Sequence, residues 1–213
     1  MGYAIMSGDG AARFADDAIL AGGVGYADAD VVVYAGSAFA ADSDKRLILI
    51  ELGDECLADH VGEAGLPNVL GFARYRNGND PASPLVELVR QEAHGDEVIA
   101  AARAFFEGLG LTVVVCADRV GRIVSRLVVP KYNSALRLLD DGLATQQDMD
   151  LTCKLGLGYP DGPIERVCRG GLEHHYARSK ALFDVFPSQT NAPARQAIVA
   201  RRRSLGRPQE YEA

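Results

Sequence analysis

Short apolar runs recur through the first half of the chain, and Gly-rich or polar stretches separate them. Runs rich in Val, Ile and Leu between turn residues are typical of buried strands. They lie at residues 27–36, 45–51, 69–75, 84–89 and 111–115, and residues 3–15 combine a further strand with a Gly turn and a helix start. Residues 96–109 instead repeat apolar side chains at helical spacing, with Asp96 as the expected N-cap. This alternation of strands and helices predicts an α/β domain with a mostly parallel sheet.

The chain after residue 117 has a different period. From Ile123 to Leu139 the apolar residues recur at steps of three and four, which predicts one long helix. Pro130 interrupts this pattern, so we expect a kink or a local break near Val129. Further helical patterns cover residues 164–186, split at the Gly pair 170–171, and residues 192–203. We therefore predict two domains, residues 1–117 and residues 118–213.

Turn residues mark both ends of the helix that follows. Gly142 comes after the long helix and is expected to end it in a left-handed conformation. Thr145 is expected to cap the next helix, with Asp148 three residues later as a near match to a capping box. That helix leads into residues 156–163, where three glycines and two prolines predict a tight, irregular turn.

Composition narrows the range of partners and compartments. The 213 residues carry a net charge of −7, which argues against a nucleic-acid partner because phosphate contacts need a basic surface. The basic run 201–203 is interpreted as cations near a helix C-terminus. The first residues lack the features of a signal peptide, and no apolar run approaches the roughly 20 residues of a membrane helix. Four cysteines without a CxxC pairing predict buried free thiols and no metal or disulfide role. Together these features predict a cytoplasmic protein that does not bind membranes.

Three segments of the helical region carry a family resemblance. They read VCADRVG at 115–121, DGLATQQDMD at 141–150 and GLGYPDGP at 156–163. In this order they resemble the start of the helical C-terminal domain of 3-hydroxyacyl-CoA dehydrogenases, the group that includes 3-hydroxybutyryl-CoA dehydrogenases. The resemblance extends more weakly from about Gly8 to about Phe183. It implies a truncated Rossmann-like parallel sheet domain followed by a helical C-terminal domain like that of 6-phosphogluconate dehydrogenase.

The resemblance also implies NAD as a possible cofactor, bound through the turn that contains Gly8 and Gly10. This signal is weak, because Arg13 stands where the last small residue of GxGxxG lets strand and helix pack closely. Residues 27–36 resemble a family strand that normally lies far downstream of the Gly turn, so the second and third strands are expected to be missing. The sequence therefore leaves NAD possible and puts its binding in doubt.

The family reaction oxidises a 3-hydroxyacyl-CoA and needs a base for the hydroxyl proton, for which imidazole suits neutral pH. By resemblance, Glu87 stands at the place of the acid that orients this His, and Ala73 stands at the place of the His itself. Ser125 stands where the long helix usually has an Asn, and residues 52–56 replace the family's NTS segment. Glu87 and Ser125 are therefore the candidate catalytic residues.

The histidines and three of the arginines are further candidates for a functional role. The histidines at positions 60, 94, 174 and 175 are interpreted as exposed or structurally satisfied rather than catalytic. Arg74, Arg76 and Arg122 are either contacts for a CoA phosphate or a carboxylate, or surface charges.

The resemblance supports two functions. One is a divergent NAD-dependent 3-hydroxyacyl-CoA dehydrogenase of acyl-CoA metabolism, weakly active through an unusual base or a site completed by another chain. The other, favoured by the missing His, is a non-catalytic pseudo-dehydrogenase subunit. Acyl-CoA stays a possible ligand in both. Apolar residues on more than one face of residues 123–139 predict a homodimer, or pairing with a full-length dehydrogenase, through the helical domain. The alternative is a helix at the centre of its own bundle.

Overall fold

The computed structural model describes residues 2–8 and 23–206, and the chain divides into two compact units. Unit 1 takes the residues up to 75 together with 82–122. Unit 2 takes residues 76–81 together with those from 123 onwards. The domain boundary at residue 117 stays a prediction, and the grouping of 76–81 with the helical region was not expected from the sequence.

Unit 1 is built on a six-stranded sheet whose strands follow one another in chain order. The strands are β1 (Tyr3–Ser7), β2 (Val31–Ala35), β3 (Leu47–Glu51), β4 (Val69–Arg74), β5 (Leu85–Arg90) and β6 (Thr112–Ala117). All neighbours are parallel except β4 and β5, so the predicted mostly parallel sheet is confirmed. β1 pairs directly with β2, with Tyr3 beside Val31.

Apolar side chains cover both faces of this sheet. One face packs against Phe106 of α2 (Asp96–Gly108). The other packs against Leu57, which directly precedes α1 (Ala58–Val61). β2 is buried at every position. Strands covered on both faces give continuous apolar runs, which is why the sequence pattern located them.

The N-cap expected at Asp96 is wrong by one residue. α2 begins at Asp96, and Gly95 is its N-cap, with extended backbone and no side-chain hydrogen bond. Asp96 and Glu97 lie in the first turn, where negative charge interacts favourably with the helix dipole.

The described part of unit 2 is helical apart from its connections. Its helices are α3 (Ile123–Asp140), α4 (Gln146–Leu157), α5 (Pro163–Arg169), α6 (Leu172–Val185) and α7 (Arg195–Ser204). The split between α5 and α6 falls at Gly170 and Gly171, as predicted. α3 is continuous across Pro130, so the alternative of a local break near Val129 is wrong. Among the residues that the structure describes, no helix has the length and apolarity needed to cross a bilayer.

Both predicted helix boundaries between α3 and α4 are confirmed. Gly142 adopts a φ of 70°, and its N–H donates to the Leu139 carbonyl at 3.1 Å, as in a left-handed C-terminal cap. Thr145 caps α4, since its Oγ1 accepts a hydrogen bond from the Asp148 N–H at 3.2 Å. Tyr132, from the middle of α3, packs in the core of this unit.

Candidate functional site

Glu87 and Ala73 lie opposite each other on two neighbouring strands of unit 1. Glu87 of β5 pairs with Ala73 of β4 in antiparallel register. Residues paired in this way direct their side chains to the same face of the sheet, with Cβ atoms about 4.5–5.5 Å apart. Glu87 is 5% exposed and Ala73 is 6% exposed. The position where the resemblance expects a His beside Glu87 therefore carries a buried methyl group.

Cys116 lies on the same face of the sheet, on the next strand. It pairs with Val89 of β5, two residues after Glu87. Burial, with a smaller contribution from the negative charge of Glu87, raises the pKa of Cys116 to about 11. A thiol with this pKa stays protonated at neutral pH and accepts no proton from a substrate. Cys116 does not replace the missing base.

The other thiols with a shifted pKa are also poor nucleophiles. Burial is the main cause that raises the pKa of Cys56, and Asp118 adds to it; burial likewise raises the pKa of Cys168. Within residues 2–8 and 23–206, no group of three or more His, Cys, Asp or Glu side chains is placed to hold a metal ion. These residues therefore point to neither thiol nor metal chemistry.

The buried His94 of unit 1 is bound at both ring nitrogens. Its Nδ1 accepts a hydrogen bond from the Gln91 N–H at 2.9 Å, and its Nε2 lies 3.0 Å from the Leu66 carbonyl. Because a carbonyl only accepts, the proton is on Nε2. Burial lowers the pKa of His94, which keeps the ring neutral. His94 is structurally satisfied, as the sequence indicated.

Two of the arginines that could contact CoA are held by backbone carbonyls of unit 1. Arg74 donates to the Ser83 carbonyl through Nε at 3.0 Å and through Nη2 at 2.8 Å. Arg122 donates from Nη1 to the Glu55 carbonyl at 3.1 Å and is only 8% exposed. The interpretation of Arg122 as a surface charge is therefore wrong, and a CoA contact by either residue stays a prediction.

Asp118 supports the loop in which the family's Ser-containing segment would lie. Its Oδ1 accepts from the Leu57 N–H at 2.7 Å, and its Oδ2 accepts from the Ala58 N–H at 2.8 Å. Gln91 Nε2 also donates to Oδ2 at 3.2 Å. A buried carboxylate thus satisfies the free N–H groups at the start of α1 from 60 residues away in sequence.

Gly8 gives no support for a nucleotide-binding turn. Gly10 and Arg13 lie outside the described residues. A Cβ at Gly8 would come within 2.6 Å of the Gly36 carbonyl oxygen and 2.9 Å of Ser37 Cα. Close backbone approach at the ends of β1 and β2 therefore explains this glycine, and backbone fills the space beside it. NAD binding through this turn stays a prediction.

Ser125, the second candidate catalytic residue, lies in the first turn of α3 in unit 2 and is partly exposed. Within the described chain, the structure records no hydrogen bond to its hydroxyl. Its catalytic role stays a prediction.

The recognised motif of unit 2 forms a helix cap built from distant residues. Asp150 is buried, its Oδ1 accepts from the Ile164 N–H at 2.9 Å, and its Oδ2 accepts from the Glu165 N–H at 2.9 Å. A Cβ at Gly162 would lie 2.2 Å from the Cβ and Cγ of Asp150, so only glycine fits. Pro163 opens α5, where a missing N–H costs nothing. The motif therefore positions α5.

A second buried polar group of unit 2 centres on Asn133, which sequence reasoning missed. Asn133 is fully buried. Its Oδ1 lies 2.9 Å from His175 Nε2 and accepts from the Ala194 N–H at 3.3 Å and from the Ser179 hydroxyl at 3.4 Å. Its Nδ2 donates to the Thr190 carbonyl at 2.9 Å. The signal that could have identified Asn133 is that it is a polar residue on the apolar face of the α3 pattern.

The environment of His175 keeps its ring neutral. Burial lowers the pKa of His175 to about 4, and the positive charges of Arg178 and Arg137 contribute. A neutral imidazole carries one N–H, which donates to Asn133 Oδ1. His175 therefore joins helices within unit 2, as expected of a structurally satisfied histidine.

The connection between β4 and β5 is fixed to α5 by polar contacts within unit 2. Asn77 Nδ2 donates to the Arg166 carbonyl at 3.1 Å. Arg169 Nη2 lies 3.1 Å from Asp80 Oδ2. Arg76 Nε donates to the Asp80 carbonyl at 2.7 Å. These bonds explain why this segment groups with the helices, and they give Arg76 a structural partner.

A mostly parallel sheet unit combined with a helical unit defines an α/β plus all-α fold of the dehydrogenase type. The crystal structure of M. tuberculosis FadB2 has this fold, with a TM-score of 0.71 at 24% identity over 83% of this chain and 67% of that chain. Residues 121–211 match the family described as 3-hydroxyacyl-CoA dehydrogenase, C-terminal domain. This match covers the helical unit, which is therefore similar to the C-terminal domain of 3-hydroxyacyl-CoA dehydrogenases.

Two curated relatives agree with this family. The 3-hydroxybutyryl-CoA dehydrogenase of Mycobacterium tuberculosis is 37% identical over 115 residues, which is 53% of this chain and 40% of that protein. The mitochondrial hydroxyacyl-coenzyme A dehydrogenase of Mus musculus is 33% identical over 127 residues, or 55% of this chain and 40% of that protein. The chain thus spans about 40% of the length of these relatives.

Proposed function

We propose that this chain is a non-catalytic or very weakly active member of the 3-hydroxyacyl-CoA dehydrogenase family that acts by pairing with another chain. The observation that carries the proposal is the pairing of Ala73 with Glu87 across β4 and β5. The acid that would orient a catalytic imidazole is present on its strand, and the imidazole is not.

The missing base has a direct chemical consequence. A 3-hydroxyacyl-CoA can lose hydride only as its hydroxyl proton is removed, and a methyl group accepts no proton. Loss of a general base typically slows such a reaction by about 10²–10⁴-fold. The raised pKa of Cys116 and the bound ring nitrogens of His94 leave neither side chain suited to this role.

A second candidate function is a divergent NAD-dependent dehydrogenase whose site is completed by another chain. The feature that favours it is Glu87 itself, a carboxylate kept at a 5% exposed position. A partner that supplied a base beside this carboxylate would complete the acid–base pair that the family reaction needs. Acyl-CoA is the substrate class in this case.

Ligand binding separates a pseudo-enzyme from an active enzyme. We expect calorimetric titration of the purified chain with NAD and NADH to give no heat of binding at millimolar cofactor. Acetoacetyl-CoA is titrated separately, because an acyl-CoA site could persist without the cofactor. Micromolar NADH binding would contradict the proposal and favour the second candidate.

Pairing is proposed to occur through exposed leucines of unit 2. Leu127 of α3 is 68% exposed, and Leu151 and Leu155 of α4 are 52% and 80% exposed. Leu151 and Leu155 are four residues apart and so share one face of α4. Apolar side chains grouped in this way are typical of protein interfaces.

All four cysteines are free, which fits a reducing compartment such as the cytoplasm.

The pairing proposal is tested by light scattering. A homodimer would give twice the chain mass of 22.7 kDa, and Leu155→Glu should return it to the monomer mass. Gln147→Glu adds the same charge at another exposed site of α4 and should leave the dimer intact. A wild-type monomer that also fails to associate with a full-length family dehydrogenase in a mixture would refute pairing.

A further inference from the structure

A cleft of about 570 Å³ lies between α6 and α7 in unit 2. Its volume falls within the range of roughly 300–1,000 Å³ that is common for small-molecule sites. Tyr176 and Phe183 of α6, together with Ile198 of α7 and Leu205 beyond it, give it an apolar and aromatic lining. The lining suits an apolar chain or ring.

Three cations border the same cleft, and two of them have no partner among residues 2–8 and 23–206. Lys180 pairs with Asp184, with Nζ 2.5 Å from Oδ1 and 2.7 Å from Oδ2, so this pair adds no net charge. Arg201 and Arg202 also line the cleft. For these two guanidinium groups the structure records no hydrogen bond or ion pair with any described residue. The border of the cleft therefore carries two positive charges that no described carboxylate neutralises, beside an apolar lining.

Other arginines of this unit have carboxylate partners. Arg195, the first residue of the same helix, lies 2.9 Å from the Asp140 carboxylate. Arg166 Nη1 lies 2.6 Å from Asp161. Since the whole chain has a net charge of −7, carboxylates are abundant. The cleft is thus a local positive site on an acidic protein.

We propose that the α6–α7 cleft binds an organic carboxylate with an apolar chain. The carboxylate would accept hydrogen bonds from Arg201 and Arg202, since the guanidinium group matches the geometry of a carboxylate. The chain would lie on Tyr176 and Phe183 in the direction of Ile198. This assignment is independent of the function proposed above, because no residue of the Ala73–Glu87 pair is involved.

The simpler explanation for these arginines is their position in the last turn of α7, where cations stabilise the helix dipole. Arg203 shares that turn and is equally exposed, and it does not line the cleft. It is therefore a matched control that separates ligand binding from the dipole effect.

The test is calorimetric titration of the full chain with decanoate. We expect one site per chain, a dissociation constant below 1 mM on the order typical of such small ligands, and binding that is much weaker for butyrate, which lacks the chain. Decyltrimethylammonium keeps the chain and reverses the charge, so it should not bind. Arg201→Gln and Arg202→Gln should each weaken decanoate binding about tenfold, because each removes a charge-assisted hydrogen bond.

Arg203→Gln should change the affinity by less than about twofold, and circular dichroism should show the same helix content and unfolding temperature for all three variants. Equal binding of decanoate and decyltrimethylammonium would overturn the proposal, as would equal weakening by the Arg203 variant. Decyl phosphate that bound more tightly than decanoate would overturn the assignment of a carboxylate head group. No decanoate binding at all would overturn the site.

Discussion

Unit 1 and unit 2 both contain buried polar residues that cap helices or join distant segments, but they differ at the positions that the resemblance links to catalysis. In unit 2, Asp150 and Asn133 satisfy backbone groups from distant parts of the sequence, and the recognised motif around Gly162 serves this packing. In unit 1, Asp118 has the same kind of capping role, yet the place expected for a catalytic base carries Ala73. The family match falls on residues 121–211. What is recognisable in this chain is therefore the helical unit, while in the sheet unit the position expected for the base carries a methyl group.

Among the substitutions that test this comparison, Asn133→Ala is expected to reduce the stability of unit 2 the most. The change leaves the N–H of Ala194 and the carbonyl of Thr190 without their buried partner, and His175 loses its acceptor. We expect a loss of about 4 kcal/mol in the free energy of unfolding, since several buried groups lose hydrogen bonds at once. Denaturant unfolding measures it.

Ser134→Ala is the control for this variant, because Ser134 is the exposed neighbour in α3 and should change stability by no more than about 0.5 kcal/mol. A loss below 1 kcal/mol for the Asn133 variant would show that the buried polar group does not hold unit 2 together.

The next largest effect is expected from Gly162→Ala. Its Cβ would lie 2.2 Å from Asp150, so the cap of α5 must shift or lose its bonds. We expect unit 2 to lose about 3 kcal/mol, as in overpacked cores. Gly156→Ala is the matched control: no atom lies within 4 Å of a Cβ there, and a helical Gly→Ala change stabilises by up to about 1 kcal/mol. Equal stability of the two variants would contradict the cap.

A smaller effect is expected from pH through His175. Its pKa is lowered to about 4 in the folded chain, against about 6.5 when unfolded, so the unfolded state binds a proton first as pH falls. Stability should be constant above about pH 6.5 and should fall by about 2 kcal/mol between pH 7 and pH 5 from this residue.

The comparison that isolates this effect uses His175→Gln, which should remove that part of the pH dependence, and His174→Gln, which should keep it because His174 is exposed. The same pH dependence in both variants would show that His175 is not the group responsible.

Local signals in the sequence predicted most of the elements. The six strands were located by continuous apolar runs, and Gly142 and Thr145 were assigned from residues within three positions of them. The error at Asp96 has a local cause. Asp is favourable both as an N-cap and in the first turn of a helix, and here Gly95 is the N-cap while Asp96 lies in the first turn.

The parts that could not be predicted depend on distant partners. Asp118 reaches N–H groups 60 residues earlier, and Asn133 reaches a carbonyl 57 residues later. Helical or strand periodicity carries no information about such pairs. The sequence predicted that the His expected near Glu87 is replaced by Ala73. The strand register adds that Ala73 and Glu87 are paired directly across β4 and β5.

The most direct test of the account is NADH oxidation with acetoacetyl-CoA by the purified wild-type chain and by Glu87→Gln. Because Ala73 leaves Glu87 without an imidazole to orient, neither protein should turn over substrate above the uncatalysed rate, and the two should be indistinguishable. Turnover by the wild type that is lost in Glu87→Gln would contradict the account and would show that Glu87 works with a base supplied from elsewhere.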